Sequence, residues 1–129
     1  MRLISNKIRR HFQVGLTGQI QLEDCGSIYL EPDEQITFRT EDAHEYDVVR
    51  KSWGYYATPS LNRRLVRFGL HAALISNKEK YYFVVLVDDE KRGEFDTYLI
   101  EERLHLVTWL DSDLRLDQLY DDITKHHGT

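Results

Sequence analysis

The spacing of apolar residues near the amino terminus predicts an amphipathic helix. Leu3, Ile4, Ile8 and Phe12 recur every three or four positions, so a helix would place them on one face. The basic residues Lys7, Arg9 and Arg10 lie on its other faces. We therefore expect a short helix that ends before Gly15.

The next part of the chain has the alternation of apolar and polar residues that is typical of strands. A short strand is expected at 27–30, followed by a turn at 31–34. The segments Gln35–Thr40 and Glu45–Lys51 then alternate in opposite directions around a polar loop. This pattern predicts an antiparallel hairpin.

Two longer apolar runs, 71–76 and 80–87, are separated by three turn-forming residues and predict a second hairpin. The later run is apolar on both faces, which is typical of a central strand covered on both sides. The segment 104–110 is rich in β-branched and aromatic residues and predicts another strand. A single helix over 94–110 remains the alternative for this region.

Helical spacing returns in three places. One helix is expected to begin at Ser60, whose hydroxyl can accept a first-turn amide proton, and to end at Gly69. Others are expected at 94–102 and after Asp111. Together the patterns predict an α+β fold in which a mostly antiparallel sheet of five or six strands carries three or four helices packed mainly on one face. A chain of 129 residues fits a single domain, 1–129.

Composition narrows the class of protein. The chain is 41% hydrophobic and 30% charged, as expected of a folded soluble domain. Cys25 is the one cysteine, so the chain cannot form a disulfide within itself, and its acidic neighbourhood does not favour a nucleophile. The amino terminus lacks the apolar run of a secretory signal, and no segment reaches the length of a membrane span. We therefore expect a cytoplasmic protein without membrane contact.

Charge is unevenly distributed along the sequence. The segment 48–78 contains six basic residues and no acidic one, while the whole chain has a net charge of −5. The rest of the chain is therefore strongly acidic. Folding could leave a local positive potential around the basic segment, or it could pair the two kinds of charge internally. The sequence leaves both alternatives open.

One stretch has the composition of a binding site, which we call the basic corner, residues 50–67. Its aromatic residues offer flat apolar faces, its hydroxyls and amide precede a helix, and its arginines can grip phosphate or carboxylate. The predicted ligand-binding residues are Arg50, Trp53, Tyr55, Tyr56, Thr58, Ser60, Asn62, Arg63 and Arg64. The alternative is that Trp53 and one tyrosine fill the core and the hydroxyls only cap the helix.

Other candidate chemistry is weak, and we predict no catalytic residue, metal site or cofactor. Asp111 and Asp113 begin like a calcium loop, but Arg115 stands where a further oxygen ligand is required. The six histidines show no zinc-type spacing. The pair His126 and His127 could bind metal adventitiously, and frayed terminal side chains are the simpler interpretation.

The sequence favours a small binding or accessory protein that holds an anionic small molecule or an acidic partner segment at the basic corner. A small enzyme acting on a phosphorylated or nucleotide-linked substrate at the same corner is the alternative, so catalysis is left open. Nucleic-acid binding ranks third, because the isoelectric point is about 5.6 and no reading motif is present. Eight tyrosines and two tryptophans in a short chain favour a homodimer.

Overall fold

The computed structural model describes residues 1–127, and their side chains up to residue 125. In chain order, the elements are β1 (Arg2–Val14), β2 (Ile20–Tyr29), β3 (Gln35–Arg39), β4 (Glu45–Lys51), β5 (Gly54–Ala57), α1 (Arg64–Arg67), β6 (Leu70–Ser76), β7 (Tyr82–Asp88), α2 (Arg92–Glu101), β8 (His105–Trp109) and α3 (Asp113–His127). The strands form three antiparallel sheets with the orders β1-β2, β3-β4-β5 and β7-β6-β8.

The predicted single sheet with a layer of helices is wrong. The structure is mostly strand, at 46% against 22% helix, and its strands are divided among three small sheets. Alternation identifies a strand but does not determine its partner, and here most strands pair with a neighbour along the chain. The helical part is also too small for a layer, because α1 has only four residues. No helix within residues 1–127 has the length and apolar character needed to cross a membrane.

The predicted amino-terminal helix is also wrong, because this segment is the long strand β1, paired with β2. Its apolar stripe has no core to cover, and Ile8 is 94% exposed. Without packing, a short isolated helix is marginal in water, whereas pairing with β2 satisfies the backbone. The pairing is interrupted between Ser5 and Arg10, where β1 bulges. Opposite the bulge, Gly26 is required because a β-carbon there would lie 2.1 Å from the carbonyl oxygen of Ile4.

The centre of the third sheet is β6, and the expectation that the 80–87 run would be central is wrong. Strand β7 lies at the edge, with Val84 63% exposed, while β6 is paired on both sides. Ala72 and Ala73 of β6 are fully buried and point to opposite faces of the sheet. Small residues at the centre allow the neighbouring elements to approach both faces closely.

Two apolar clusters form the core, one on each face of β6. Leu65 of α1 joins Leu70 and Ala72, and Tyr46 packs against this cluster from β4. On the other face Leu99 of α2 packs with Ala73 and Ile75. The strands expected at 35–40, 45–51, 71–76 and 104–110 are confirmed, as are the helices expected at 94–102 and after Asp111. The alternative of one helix over 94–110 is wrong.

Candidate functional site

Arg50, a predicted ligand-binding residue of the basic corner, forms its hydrogen bonds with backbone carbonyl groups. Its Nη1 donates to the carbonyl oxygen of Leu30 at 2.8 Å, and its Nε donates to that of Lys51 at 3.1 Å. The neighbouring ammonium of Lys51 forms an ion pair with Asp33 at 2.5 Å. These contacts connect β4 to the turn before β3, so Arg50 has a structural role in this arrangement.

Asn62 and Arg63 both bind one carboxylate of this chain, that of Asp113 at the start of α3. The Asn62 Nδ2 donates to Oδ1 at 2.7 Å, and the Arg63 Nη1 lies 3.1 Å from both carboxylate oxygens. The hydrogen bond from Asn62, followed by that from Arg63, lowers the pKa of Asp113 below its ordinary value. The carboxylate of Asp113, from the acidic part of the same chain, therefore lies against two of the predicted ligand-binding residues.

Arg64 is held on the inner side of the corner. Its Nη2 donates to the hydroxyl of Thr58 and lies 3.4 Å from the carboxylate of Asp47, which also accepts a hydrogen bond from Thr37 at 2.6 Å. The Arg64 backbone amide donates to the Ser60 hydroxyl at 2.9 Å, but the expected helix start at Ser60 is wrong, because α1 begins at Arg64 and its N-cap residue is Arg63. Ligand binding by these residues stays a prediction, and any external anion there competes with Asp47 or Asp113.

The aromatic residues of the corner do not fill the core, contrary to the alternative interpretation. Trp53 and Tyr55 are each 69% exposed and Tyr56 is 53% exposed. Tyr55 is opposite Arg50 and Tyr56 is opposite Val49, so the two tyrosines point to opposite faces of the β3-β4-β5 sheet. They therefore do not form one continuous stacking surface.

A cavity lies at one end of the β7-β6-β8 sheet, and we call it the sheet-end pocket. Strands β6, β7 and β8 meet there in register, with Leu70 opposite Asp88 and Leu110 bonded to Ala72. They surround a cavity of about 230 Å³. Its lining residues are His71, Val87, Asp88, Asp89, Arg92, Trp109 and Asp111.

Two ordered pairs line this pocket. The Nδ1 of His71 lies 2.5 Å from Oδ2 of Asp111, a partly buried pair that orients the imidazole and leaves its second nitrogen unused by this contact. The guanidinium of Arg92 lies over the ring of Trp109 at 4.3 Å, which is a cation–π distance. The pocket therefore combines an oriented imidazole, carboxylates and one cation around a small volume.

A second histidine, His44, brings its imidazole to the carboxylates at the end of β7. One nitrogen of His44 and one oxygen each of Asp88 and Asp89 all lie within 4.8 Å of one another. The His44 Nδ1 is 3.3 Å from Oδ2 of Asp88 but lacks a directed hydrogen bond to any group in residues 1–127, although it is buried. Among the described residues, this buried ring nitrogen therefore lacks the directed hydrogen bond that buried polar groups usually make.

Gly69 contacts both the His44 ring and the Asp89 backbone of this cluster. A β-carbon at Gly69 would lie 2.8 Å from Cε1 of His44 and 3.0 Å from its Nε2, so the imidazole rests directly against the glycine. The carbonyl oxygen of Gly69 accepts the amide proton of Asp89 at 3.0 Å. With a φ of +80°, Gly69 also ends α1 as the sequence predicted, because this left-handed conformation favours glycine.

Sequence reasoning did not find this cluster, and it predicted no metal site. His44 lies in the turn before β4, whereas Asp88 and Asp89 lie at the end of β7 and just after it, so no local spacing connects them. The one available signal was the pair of adjacent acids at the end of an apolar strand. The His126–His127 pair considered from sequence lies outside the residues whose side chains are described.

The chain matches no protein-family model, no curated protein and no solved structure.

Proposed function

We propose that the protein binds a divalent transition-metal cation between His44, Asp88 and Asp89. The observation that carries this proposal is the convergence of one imidazole nitrogen and two carboxylate oxygens within 4.8 Å. Imidazole and carboxylate together are the donors of zinc, manganese and iron sites in proteins. The buried His44 Nδ1 without a hydrogen-bond partner among the described residues supports the same proposal.

The three ligand atoms, which lie within 4.8 Å of one another, must move closer together to coordinate an ion. Ligand atoms stand about 2.0–2.2 Å from zinc, so neighbouring ligands lie roughly 3–3.5 Å apart in a tetrahedral site. His44 and Asp88 already meet this spacing at 3.3 Å. Asp89 is exposed and can rotate toward them. Asp88 is further oriented by the amide of Glu90, which donates to its Oδ1 at 2.9 Å.

Three protein ligands leave coordination positions for water or a bound molecule, and the sheet-end pocket lies directly beside them. We propose a small anionic molecule as its occupant. Without a cation, Asp88, Asp89 and Asp111 face the cavity against the single guanidinium of Arg92, so the pocket repels anions. Three carboxylates against one guanidinium leave an excess of two negative charges, which a bound dication neutralises. Anion binding in the pocket therefore depends on the metal.

The His71–Asp111 pair favours a second candidate function, metal-dependent hydrolysis of a phosphate ester. The Asp111 carboxylate lies 2.5 Å from the His71 imidazole and orients it, as carboxylates do for histidines that act as general bases. His71 also lines the same cavity as Asp88 and Asp89. In this function His71 would be the general base that accepts a proton from the attacking water, and a cation held by His44, Asp88 and Asp89 would supply the Lewis acidity. The test is manganese-dependent turnover of p-nitrophenyl phosphate. Loss of turnover in His71→Ala, with metal affinity retained, supports hydrolysis, whereas absent turnover in the unsubstituted protein excludes it for this substrate.

Titration calorimetry with zinc and manganese tests the metal site itself. The protein is first treated with EDTA, and His126 and His127 are replaced with Ala in every variant so that the terminal histidines cannot contribute. We expect one site per chain, lost in His44→Ala and weakened more than about 100-fold in Asp89→Asn, since removing even an outer-shell partner costs 10–100-fold.

The matched control is His105→Ala. His105 is an exposed histidine opposite Ser76, at the other end of the same sheet from the pocket. This variant should bind metal like the parent. Equal metal affinity in His44→Ala, Asp89→Asn and the parent protein would contradict the proposed site. Asp89 is exposed, so Asp89→Asn does not change the core and should fold like the parent.

A further inference from the structure

Strand β7 presents an unpaired sheet edge to solvent. The Asn77 amide donates to the carbonyl of Tyr81, and the Asp89 amide donates to that of Gly69, so odd-numbered residues of β7 face β6. The backbone groups of Tyr82, Val84 and Leu86 then point outward. No strand among residues 1–127 pairs with this side of β7.

This edge lacks the usual protection against pairing. Exposed edge strands normally carry charged residues, proline or a bulge. From Tyr81 to Val87 the chain contains no charge and no proline, and its pairing with β6 is regular. Tyr82 is 57% exposed, Phe83 49% and Val84 63%, so the apolar surface continues onto the faces of the strand.

The charges that bound the apolar run differ in sign at its two ends. Lys78, Glu79 and Lys80 precede it with a net charge of +1 (two lysines against one glutamate), and the acidic residues Asp88, Asp89 and Glu90 follow it. A second copy of the same strand in antiparallel orientation places each Lys80 beside the acidic end of the other copy. A strand of unrelated sequence has no reason to match this pattern, so the charge order argues for self-pairing.

We propose that the protein forms a twofold symmetric dimer through antiparallel pairing of β7 with β7 of a second copy, with Val84 opposite Val84. Val84 is an outward-facing residue, so a two-fold axis at this position completes a hydrogen-bonded pair. In this register Tyr82 lies opposite Leu86, and Lys80 lies opposite Asp88. Moving the axis to Leu86 would leave only residues 84–88 of each strand paired, because β7 ends at Asp88.

Light scattering at high micromolar concentration, with EDTA present to exclude metal-linked association, is the first test. We expect a mass twice that of the 15.3 kDa chain.

Val84→Pro removes an outward amide without breaking the pairing with β6, so this variant should be folded by circular dichroism and monomeric by light scattering. Lys80→Glu should raise the dissociation constant of the dimer about tenfold or more, because the new carboxylate would face the acidic end of β7 in the other copy. The matched charge control is Lys7→Glu, on exposed β1, which should leave the dimer unchanged.

The other edge of the sheet supplies a second control. Val107 of β8 is 47% exposed, so Val107→Lys should remain dimeric while Val84→Lys becomes monomeric. Disruption by Val107→Lys alone would place the interface on β8 and overturn the proposal. A monomeric parent protein at high micromolar concentration would overturn it as well.

Disulfide crosslinking tests the register. In a Cys25→Ser background, Val84→Cys should form a covalent dimer under mild oxidation, because the Cα atoms of a hydrogen-bonded pair lie about 5.5 Å apart. Tyr82→Cys should not, since its two copies are offset by four residues, or roughly 13 Å. Equal crosslinking of both variants, or crosslinking of Tyr82→Cys alone, would contradict a two-fold axis at Val84.

Discussion

The imidazole of His44 rests against Gly69, at a position where a β-carbon would come within 2.8 Å of the ring. The same glycine accepts the amide proton of Asp89 through its carbonyl oxygen. One residue without a side chain thus positions a nitrogen ligand and a carboxylate ligand of the proposed metal site.

Replacing Gly69 with Ala should weaken metal binding as well as the fold. A φ of +80° costs a non-glycine residue about 1–2 kcal/mol, and the new methyl group also displaces the His44 ring. Gly18→Ala is the matched control, because Gly18 has a φ of +71° but a β-carbon there would meet no atom within 4 Å. We expect both variants to lose stability in urea denaturation, and only Gly69→Ala to lose zinc affinity. Equal zinc affinity in the two variants would show that the contact with His44 does not position the ligand.

Arg64→Ala should destabilise the protein in the absence of any ligand. It leaves the carboxylate of Asp47, which is 14% exposed, without its guanidinium partner, and such a loss costs about 1–3 kcal/mol. Arg63→Ala should change stability much less, because Arg63 and Asp113 are both largely exposed. Urea denaturation measures both. If Arg64→Ala is as stable as the parent and loses binding of inorganic phosphate, the basic corner is an anion site after all.

The pKa of the Asp113 carboxyl should depend on the contact between the basic corner and α3. Its pKa is lowered, first by the hydrogen bond from Asn62 and then by that from Arg63. A lowered pKa in the folded state means that the contact stabilises the fold at neutral pH and is lost as the pH falls through that pKa. In a carboxyl NMR titration, Asn62→Ala should raise the Asp113 pKa toward its ordinary value. An unchanged titration in Asn62→Ala would contradict the observed hydrogen bond.

Leu65→Ala should be among the most damaging single changes to the core. Leu65 is fully buried and is the residue through which the four-residue helix α1 packs on Leu70 and Ala72. Truncating a buried leucine to alanine costs about 2–5 kcal/mol. Because α1 leads directly into Gly69, the metal site should also be affected. Leu61→Ala is the control, since Leu61 is 37% exposed and should cost less in thermal denaturation.

The sequence predicted elements well where the determinants are local. The hairpin at 35–51 is one example, since alternation around a polar loop specifies both strands and their antiparallel pairing. The amino-terminal helix failed because Leu3 and Ile8 have helical spacing but no core to pack against, and burial is not encoded in spacing. The placement of β7 failed for a related reason, since an apolar strand at an exposed edge has the same composition as a buried central strand.

The proposed metal site could not be predicted because its parts are distant in sequence. His44 reaches Asp88 only because β7 pairs with β6 in the register that puts Leu70 opposite Asp88, and because Gly69 leaves room for the ring. The basic corner was visible in composition, but its charge partners Asp47 and Asp113 were not. Pairing between distant charges depends on the fold, which composition does not determine.

The most direct test of the metal site is an NMR experiment on the histidine ring nitrogens of ¹⁵N-labelled protein, using two-bond ¹H–¹⁵N correlation. Binding of one equivalent of zinc should shift a ring nitrogen of His44 strongly and leave His105 unchanged. His71 should keep the nitrogen shifts of an imidazole bonded to a carboxylate, since Asp111 holds it at 2.5 Å. Zinc-induced shifts confined to His126 and His127, with the His44 signals unmoved, would contradict the proposed function.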